Sequence, residues 1–439
     1  MIRKSFIALS AIAVTVAAGA ASAFTPPGFP RLAGYNIGAP QNYSDPTYEA
    51  NLAKLSFSIV SMWPGFKPGG QTMDQVIKAI KAKNPNTMVF LYVDENEQSE
   101  SGGVFASYEQ KLDSMHWWLY TQGCAGGTKV GSAYGSGFYL INNTPNTKKD
   151  ASGWNSVDWM TNYFYQNYYV AAGAPDADGF YMDNVFWQPY AAGDWTCSGS
   201  SVAASSPVAG TALRQGYQRF FQDMRKLMPA GKYEIGNIGD WADANVPIPE
   251  YQGMVDGGVL EAYIGANYSY EGWAGWQGMM SRYHTMMGKV NAPKLLIFDV
   301  HGSVTDYPTM RYGLTSTLMD DAYYCFTDMA HEYASVPWFD EYNANLGAAV
   351  TPPQTGAWQK GVYRRDFANG IALVNPKGNG TQTVTLETAF VKLKGGQAPS
   401  VNDGSTVTQV TLNARDGIIL LRKPPAHQPK APTNFTSGA

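Results

Sequence analysis

Two kinds of segment alternate regularly along most of this chain. Between Leu32 and about Tyr342, short apolar runs alternate with longer amphipathic stretches. Several of the short runs are almost continuously apolar, which is typical of strands covered on both faces. Eight such runs with helical patterns between them predict an α/β fold, a (β/α)8 TIM barrel. The predicted strands are Leu32–Ile37, Phe57–Trp63, Met88–Val93, Gly179–Met182, Lys232–Ile235, Gly258–Ile264, Leu295–Phe298 and Ser335–Phe339.

Amphipathic patterns with helical spacing fill most of the intervals between these strands. The predicted helices are Met73–Lys83, Tyr108–Tyr120, Val157–Val170, Leu213–Leu227, Trp276–Met287 and Met310–Tyr333. The segment Phe138–Ile141 is open to two interpretations, since it fits either an extra hairpin strand in a long loop or the true fourth strand of the barrel.

The composition changes after Gly347, where a Thr-Pro-Pro linker leads into short strand patterns separated by Asn-Gly and Asp-Gly turns. This spacing predicts a small C-terminal antiparallel β-sandwich domain. We therefore expect the catalytic barrel over residues 24–347, the β-sandwich over 348–423, and a flexible Pro/Ala-rich tail over 424–439.

The first 23 residues have the pattern of a secretory signal peptide. Arg3 and Lys4 precede an apolar run, and Ala21-Ser22-Ala23 provides small residues for cleavage. We expect a secreted or periplasmic protein without a membrane span. The formal net charge is −4 and no run of Lys or Arg occurs, so a nucleic-acid partner is not expected. We expect a monomer that acts on a carbohydrate.

Only three cysteines occur, and their wide spacing excludes CxxC metal or redox motifs. Cys124 and Cys197 both lie in Gly/Ser-rich loop sequence, and we predict a disulfide between them because the exported chain enters an oxidising compartment. Cys325 lies in an apolar pattern that we interpret as helical, and we expect a buried free thiol there.

Polar residues end most of the predicted strands, which is where active sites of such barrels are built. These residues are Asp94, Asp183, Asn237, Glu261, Asp299 and Asp340. A single acidic strand end is ordinary, but five carboxylates converging on one mouth raise each other's pKa at a cost in stability. Such an arrangement is tolerated mainly at functional sites.

Asp183 and Glu261 are the strongest candidates for catalysis. Asp183 follows an apolar strand and precedes an asparagine and two aromatic residues, which suits a carboxylate nucleophile. The alternative is that Asp183 caps the following helix. Glu261 is flanked by apolar strand residues, so poor solvation should raise its pKa toward that of a general acid. The alternative is that Glu261 belongs to a structural ion pair inside the barrel.

Two carboxylates in unequal environments are the machinery of glycoside hydrolysis. Aromatic residues make up 13% of the chain, and sugar rings stack their apolar faces on such side chains. Aromatic residues also lie at or just past the predicted strand ends. The predicted sugar-binding residues are Tyr35, Trp63, Asp94, Asn184, Trp187, Asn237, Asp299 and Asp340.

Motifs of other enzyme classes are missing from the sequence. It contains no GxSxG elbow, no HExxH, no Walker loop, and no GxGxxG after a strand. We expect no cofactor and no metal, although His301 with neighbouring carboxylates leaves a metal-dependent carbohydrate deacetylase as a weak alternative. The stronger rival is a glycan-binding barrel that does not hydrolyse its ligand.

Three segments resemble a known family. They are Gly179–Asn184 (GFYMDN), Gly257–Glu261 (GGVLE) and Gly361–Pro376 (GVYRRDFANGIALVNP). Together they resemble hypothetical glycoside hydrolase family fifteen, which is related to the α-galactosidase superfamily of barrels. The resemblance implies an aspartate nucleophile after strand four and an acid/base carboxylate from strand six. Those roles match Asp183 and Glu261, although well-known relatives use aspartate at the second position.

The sequence thus predicts a secreted enzyme that cleaves α-linked poly- or oligosaccharide by a retaining mechanism. Asp183 is expected to attack the anomeric carbon, and Glu261 to protonate the leaving oxygen and then deprotonate water. The remaining polar strand ends are expected to bind sugar hydroxyls.

Overall fold

The computed structural model describes residues 24–122, 127–171, 173–199, 208–239, 253–265 and 269–423. The predicted signal peptide and C-terminal tail lie outside these ranges. Parallel strands form an eight-stranded barrel, which confirms the predicted fold class. The barrel strands are β1 (Ala33–Asn36), β2 (Phe57–Val60), β3 (Met88–Val93), β6 (Gly179–Met182), β7 (Tyr233–Asn237), β8 (Gly257–Ile264), β9 (Leu295–Gly302) and β10 (Tyr323–Asp328).

The strands are hydrogen-bonded in the order in which the barrel strands follow along the chain, from β1 to β10. A parallel bridge between Leu32 and Tyr324 joins the first strand to the last and closes the barrel. Alternate residues point inward, and aromatic and branched side chains such as Phe57, Phe90 and Ile297 fill the interior. The barrel is therefore a packed core whose ends, and not its centre, are open to ligands.

Helices cover the outside of the barrel. They are α1 (Pro46–Leu52), α2 (Met73–Lys83), α3 (Ala106–Met115), α4 (Ser156–Phe164), α5 (Ala209–Leu227), α6 (Tyr270–Lys289) and α7 (Tyr307–Thr317). Local sequence sets where several of them begin. Thr72 and Gln75 form a capping box at the start of α2, and Asn155 and Asp158 do the same for α4.

The position predicted for the eighth strand is wrong. The barrel strand is Tyr323–Asp328, whereas Ser335–Phe339 is irregular and Asp340 begins a short 3-10 helix. The pattern that predicted one helix over Met310–Tyr333 contains the end of α7, a turn and this strand. Every residue of the strand is buried, so its continuous apolar sequence carries no period that separates strand from helix.

The segment Phe138–Ile141 belongs to a hairpin and not to the barrel. Strand β5 (Phe138–Leu140) pairs antiparallel with β4 (Glu97–Ser99) in the long connection between β3 and β6. Because β4 begins four residues after β3 ends, this hairpin lies beside the carboxyl-terminal mouth of the barrel.

The C-terminal region is antiparallel, as predicted. Its strands are β11 (Tyr363–Phe367), β12 (Gly370–Asn375), β13 (Gln382–Lys392), β14 (Thr406–Leu412) and β15 (Asp416–Arg422). They form one hydrogen-bonded sheet in the order β11-β12-β15-β13-β14. An irregularity between Thr385 and Phe390 bends β13, and side chains from both halves of the sheet share one core. The described residues of this region thus form a single five-stranded antiparallel sheet.

Buried charged groups fix this sheet to the barrel. Arg311 on α7 donates two hydrogen bonds to Asp416, of 3.0 and 2.9 Å. Arg365 is 1% exposed and donates to the carbonyl oxygens of Leu318 and Asp320. Such bidentate and fully paired guanidinium groups orient one unit on the other.

The cysteines agree with the prediction in part. Cys325 is a buried free thiol, although it lies in β10 and not in a helix. Cys197 is disulfide-bonded. Cys124, the partner predicted for it, lies outside the described residues.

Candidate active site

Asp183 is the first residue after β6 and is surrounded by hydrogen-bond donors. Its Oδ2 accepts from the hydroxyl of Tyr92 at 2.6 Å and that of Tyr35 at 3.4 Å. Its Oδ1 accepts from the Tyr181 hydroxyl at 3.1 Å and from the Asn184 backbone N–H at 2.9 Å. Asp183 is only 9% exposed, and these neutral donors stabilise its negative charge without neutralising it.

Asn237, the last residue of β7, connects the two predicted catalytic carboxylates. Its Nδ2 donates to Asp183 Oδ1 at 3.1 Å and to Glu261 Oε2 at 2.8 Å. Since both bonds start from one nitrogen, the two carboxylate oxygens cannot be more than 5.9 Å apart. The structure therefore brings Asp183, Asn237 and Glu261 together.

Glu261 is aimed at this pair by an irregularity in β8. The pairing of β8 with β9 shifts register between Leu260 and Ile264, and Ala262 adopts a left-handed conformation with a φ of 50°. Bulges of this kind redirect a side chain relative to the regular strand. The Tyr333 hydroxyl donates to Glu261 Oε1. Burial, together with the negative charge of Asp183, raises the pKa of Glu261 to about 7.

Asp94 and Asn184 form a second polar pair next to Asp183. Asn184 Nδ2 donates to Asp94 Oδ2 at 2.7 Å. Burial and the negative charges of Asp183 and Glu97 raise the pKa of Asp94 well above its ordinary value. Glu97 accepts from the hydroxyls of Ser132 and Tyr190. Residues of the hairpin connection and of the loop after β6 therefore lie next to the acidic group formed by Asp94, Glu97 and Asp183.

Tyrosine hydroxyls are the groups that sequence reasoning missed. Tyr92, Tyr181 and Tyr333 donate to the catalytic candidates, whereas only Tyr35 was predicted at the site. Burial and the charge of Asp183 raise the pKa of Tyr92, so its hydroxyl stays protonated as a donor. The signal was available for Tyr92 and Tyr181, which lie two positions before a polar strand end and therefore share its inward face.

Asp299 lies inside the barrel, on the same face of β9 as the interior residue Ile297. It is 0% exposed, and its Oδ1 accepts from the Thr327 hydroxyl at 2.8 Å. Its Oδ2 accepts from the Ala262 backbone N–H at 3.3 Å and lies 2.7 Å from His301 Nε2. Its surroundings differ from those of the direct sugar contact predicted from the sequence.

The sequence of the chain matches the model of a known protein family. Residues 81–371 match the model described as "Hypothetical glycosyl hydrolase family 15". The chain belongs to this family. The matched range includes β3 and β6 to β10, and with them Asp94, Asp183, Asn237 and Glu261. The protein is thus a glycosyl hydrolase by family, as the motifs predicted. No curated protein sequence matched the chain.

Solved structures with a similar arrangement include three of carbohydrate-active proteins. The glycoside hydrolase domain of PelA from Pseudomonas aeruginosa has 11% identity and a TM-score of 0.40 over 70% of this chain and 97% of its own. The cycloalternan-forming enzyme from Listeria monocytogenes has 11% identity, a TM-score of 0.44, and coverage of 89% and 41%. The type III pullulan hydrolase from Thermococcus kodakarensis has 12% identity, a TM-score of 0.46, and coverage of 86% and 70%. The chain thus spans less than half the length of the Listeria protein.

Of the remaining residues predicted to bind sugar, Asp340 lies elsewhere, whereas Trp63 and Trp187 follow the carboxyl ends of the barrel strands β2 and β6. The position assigned to Asp340 is wrong, because it does not end a strand. Its carboxylate accepts from the Gln397 N–H at 2.9 Å and joins the barrel to the C-terminal domain. Trp63 packs on Phe66 in the loop after β2, with ring centroids 4.1 Å apart. Trp187 is half-buried beside the core, and its carbonyl oxygen accepts from Arg214.

The described residues contain neither a membrane-spanning helix nor a cluster of metal ligands. No helix there is long and apolar enough to cross a membrane. No group of three or more His, Cys, Asp or Glu side chains in the same ranges is arranged to hold a metal ion.

Proposed function

We propose that this family member is a secreted glycoside hydrolase that cleaves α-linked poly- or oligosaccharide with retention of configuration. The observation that carries the proposal is the bridge from Asn237 Nδ2 to both Asp183 and Glu261. Retaining enzymes keep their two carboxyl groups about 5–5.5 Å apart, whereas inverting enzymes leave about 6.5–9.5 Å for a water molecule. The upper limit of 5.9 Å between the bridged oxygens favours retention.

The different surroundings of the two carboxyl groups support different roles for them in the proposal. Asp183 accepts hydrogen bonds from three tyrosine hydroxyls, a backbone N–H and an amide, and this set of donors fixes the orientation that a nucleophile needs. Glu261 has a pKa of about 7 and can carry a proton near neutral pH.

In the first step, Glu261 gives its proton to the glycosidic oxygen while Asp183 attacks the anomeric carbon. The bond from that carbon to the leaving oxygen breaks, and a covalent glycosyl-enzyme remains. In the second step, the Glu261 carboxylate takes a proton from water, the resulting hydroxide oxygen bonds to the anomeric carbon, and the bond to Asp183 breaks. Glu261 is then protonated again.

Other parts of the proposal rest on sequence features. The α-linkage follows from the resemblance of Gly179–Asn184 and Gly257–Glu261 to the α-galactosidase superfamily. Export follows from the pattern of residues 1–23, and action as a monomer is our working assumption. Asp94, Asn184 and Tyr35 at the mouth are the proposed contacts for sugar hydroxyls.

The test is to incubate the purified protein with a panel of α- and β-linked glycans and to analyse released sugars by chromatography. We expect release from an α-linked glycan, with first products of retained configuration by proton NMR of the anomeric position. Asp183→Asn should abolish release. Binding of a glycan without release, unchanged by this substitution, would instead indicate the non-hydrolytic binding protein. Products of inverted configuration would refute the retaining mechanism.

A further inference from the structure

A buried group beneath the mouth contacts the backbone that carries Glu261. Asp299 on β9 is fully buried and faces the barrel interior one layer above Ile297. One of its oxygens accepts from Thr327 on β10, and the other accepts from the backbone N–H of Ala262 on β8. Asp299 therefore joins three consecutive strands at the level of the catalytic pair.

The backbone that Asp299 holds is strained. Ala262 is a buried non-glycine residue with a φ of 50°, a region that costs an L-residue roughly 1–2 kcal/mol. Strain of this kind persists only where the surroundings impose it, and it concentrates at functional sites. Ala262 directly follows Glu261, so a change in its backbone conformation would shift the strand segment that carries the glutamate side chain.

His301 completes the support from the other side. Its Nε2 lies 2.7 Å from the same Asp299 oxygen that accepts from Ala262. The His301 ring also packs edge-on against Tyr333, with centroids 6.0 Å apart, and Tyr333 donates to Glu261. Asp299 thus acts on Glu261 by two routes, through the backbone at Ala262 and through His301 and Tyr333.

We propose that Asp299, supported by Thr327 and His301, is a positioning residue that holds the β8 bulge and aims the Glu261 carboxyl at Asp183. The inference rests on the proposed function, in which Glu261 is the acid/base. It replaces the direct sugar contact expected for Asp299, because a carboxylate with no exposed surface and partners on both oxygens offers nothing to a ligand.

The two roles differ in how they respond to the leaving group. A mispositioned general acid slows cleavage of glycosides with poor leaving groups, whereas 2,4-dinitrophenol departs without protonation. A lost sugar contact weakens both kinds of substrate equally. The experiment therefore compares kcat/KM for phenyl and 2,4-dinitrophenyl glycosides of the sugar that the glycan panel releases.

For Asp299→Ala we expect a 10- to 100-fold lower kcat/KM on the phenyl glycoside, since a displacement of about 1 Å costs that much. The loss on the dinitrophenyl glycoside should be less than about threefold. Asp299→Asn should recover most of the activity, because its amide oxygen can accept from Ala262 while Thr327 accepts from its amide nitrogen. A crystal structure of Asp299→Ala should show the Glu261 carboxyl displaced from Asn237.

Several comparisons keep the result interpretable. If Asp299→Ala does not fold, Thr327→Val removes one donor to Asp299 at nearly constant volume and should give the same pattern with a smaller loss. Glu234→Gln is the matched control, since Glu234 is a fully buried carboxyl on β7 that faces the helices and not the mouth. It should change neither rate.

Equal losses on both glycosides, or an unmoved Glu261 in Asp299→Ala, would overturn the positioning role. Glu261→Gln separates this failure from a failure of the proposed function. If Glu261→Gln shows the leaving-group dependence and Asp299→Ala does not, only the inference about Asp299 is wrong. If Glu261→Gln cleaves the phenyl glycoside at the wild-type rate, the acid/base assignment is wrong and the inference fails with it.

Discussion

Strands β6 and β8 are each preceded by a carboxylate at the base of the barrel and carry a second one nearer the mouth, and the surroundings of the two carboxylates differ. At the amino-terminal end, Asp178 accepts from the Val89 N–H and lies 2.6 Å from Lys81 Nζ. At the carboxyl-terminal end of the same strand, Asp183 has tyrosine and asparagine partners instead. The same residue type on one strand thus has a cation at the base of the barrel and neutral donors at the mouth.

The two carboxylates of β8 differ in the same way. Asp256, just before the strand, accepts from Arg225 at 3.0 Å and from the Glu234 N–H at 2.9 Å. Glu261, five residues later, has Asn237 and Tyr333 as donors and Asp183 as a charged neighbour. A carboxylate paired with a cation adds to stability. Carboxylates that repel each other are poised to exchange protons, which is useful only for chemistry.

The largest expected difference lies between Asp183→Asn and Asp178→Asn. The first substitution removes the nucleophile, and kcat should fall by at least about 10³-fold, since removing a catalytic residue of a concerted unit costs about that much or more. The second should leave kcat within about twofold, because Asp178 supports only the base of β6. Steady-state kinetics on the glycan from the panel measures both. Comparable losses in the two variants would erase the distinction between the ends.

Glu261→Gln should lower kcat by about 10²- to 10⁴-fold, the usual contribution of a general acid/base. Its counterpart at the base is Asp256→Asn, for which we expect nearly normal turnover. The loss of kcat/KM in Glu261→Gln should be larger for a phenyl glycoside than for a 2,4-dinitrophenyl glycoside, whose leaving group departs without protonation. An amide at this position that supports wild-type turnover of an unactivated glycan would mean that another residue is the acid.

The pH dependence of the wild-type enzyme tests the surroundings of Glu261. Because the pKa of Glu261 is raised to about 7, its protonated and active form is lost as the pH rises through 7. We expect kcat/KM to fall about tenfold per pH unit above that value, since this parameter reports the ionisation of the free enzyme. Measuring kcat/KM between pH 5 and 9 determines this decrease. An activity that stays constant up to pH 9 contradicts the raised pKa.

Tyr92→Phe tests the neutral donors of the mouth and should have a moderate effect. The hydroxyl of Tyr92 makes the shortest described hydrogen bond to Asp183, at 2.6 Å. A hydrogen bond to a charged group contributes about 1.5–3 kcal/mol. We therefore expect kcat to fall by roughly 10- to 100-fold when the donor to Asp183 is removed. Tyr233→Phe at the base of β7 is the control and should leave kcat unchanged. Equal activity of the two variants would show that the tyrosines around Asp183 are only packing groups.

Much of this architecture could be predicted from the hydrophobic periodicity of the sequence and from the polar residues at the strand ends. Met88–Val93 and Gly179–Met182 are strands with the predicted bounds, and Asp183, Asn237 and Glu261 do meet at one mouth. The failures have a common physical cause. The strand Tyr323–Asp328 is buried on both faces and therefore has no period to detect. Asp340 was placed at the mouth because of that error.

Other features of the site depend on contacts distant in sequence. The bulge at Ala262 is held by Asp299 and Thr327 from two other strands, and nothing in the local sequence around Glu261 marks it. Likewise, Tyr333 reaches Glu261 from a loop that was interpreted as helix. Strand ends indicate which residues converge, but only the folded barrel defines how they are oriented.

The two ends of the barrel should also differ, by a smaller amount, in what their carboxylates contribute to stability. Asp256→Asn removes the charge that pairs with Arg225, and we expect the free energy of unfolding to fall by about 1 kcal/mol, because one partner is partly exposed. Asp183→Asn should leave that free energy unchanged or raise it, since it relieves repulsion between carboxylates in the mouth. Urea unfolding followed by tryptophan fluorescence measures both. A loss of stability in Asp183→Asn equal to that in Asp256→Asn would mean that the mouth carboxylate stabilises the fold as the base carboxylate does, and that the division of the barrel into a stabilising end and a reactive end does not hold.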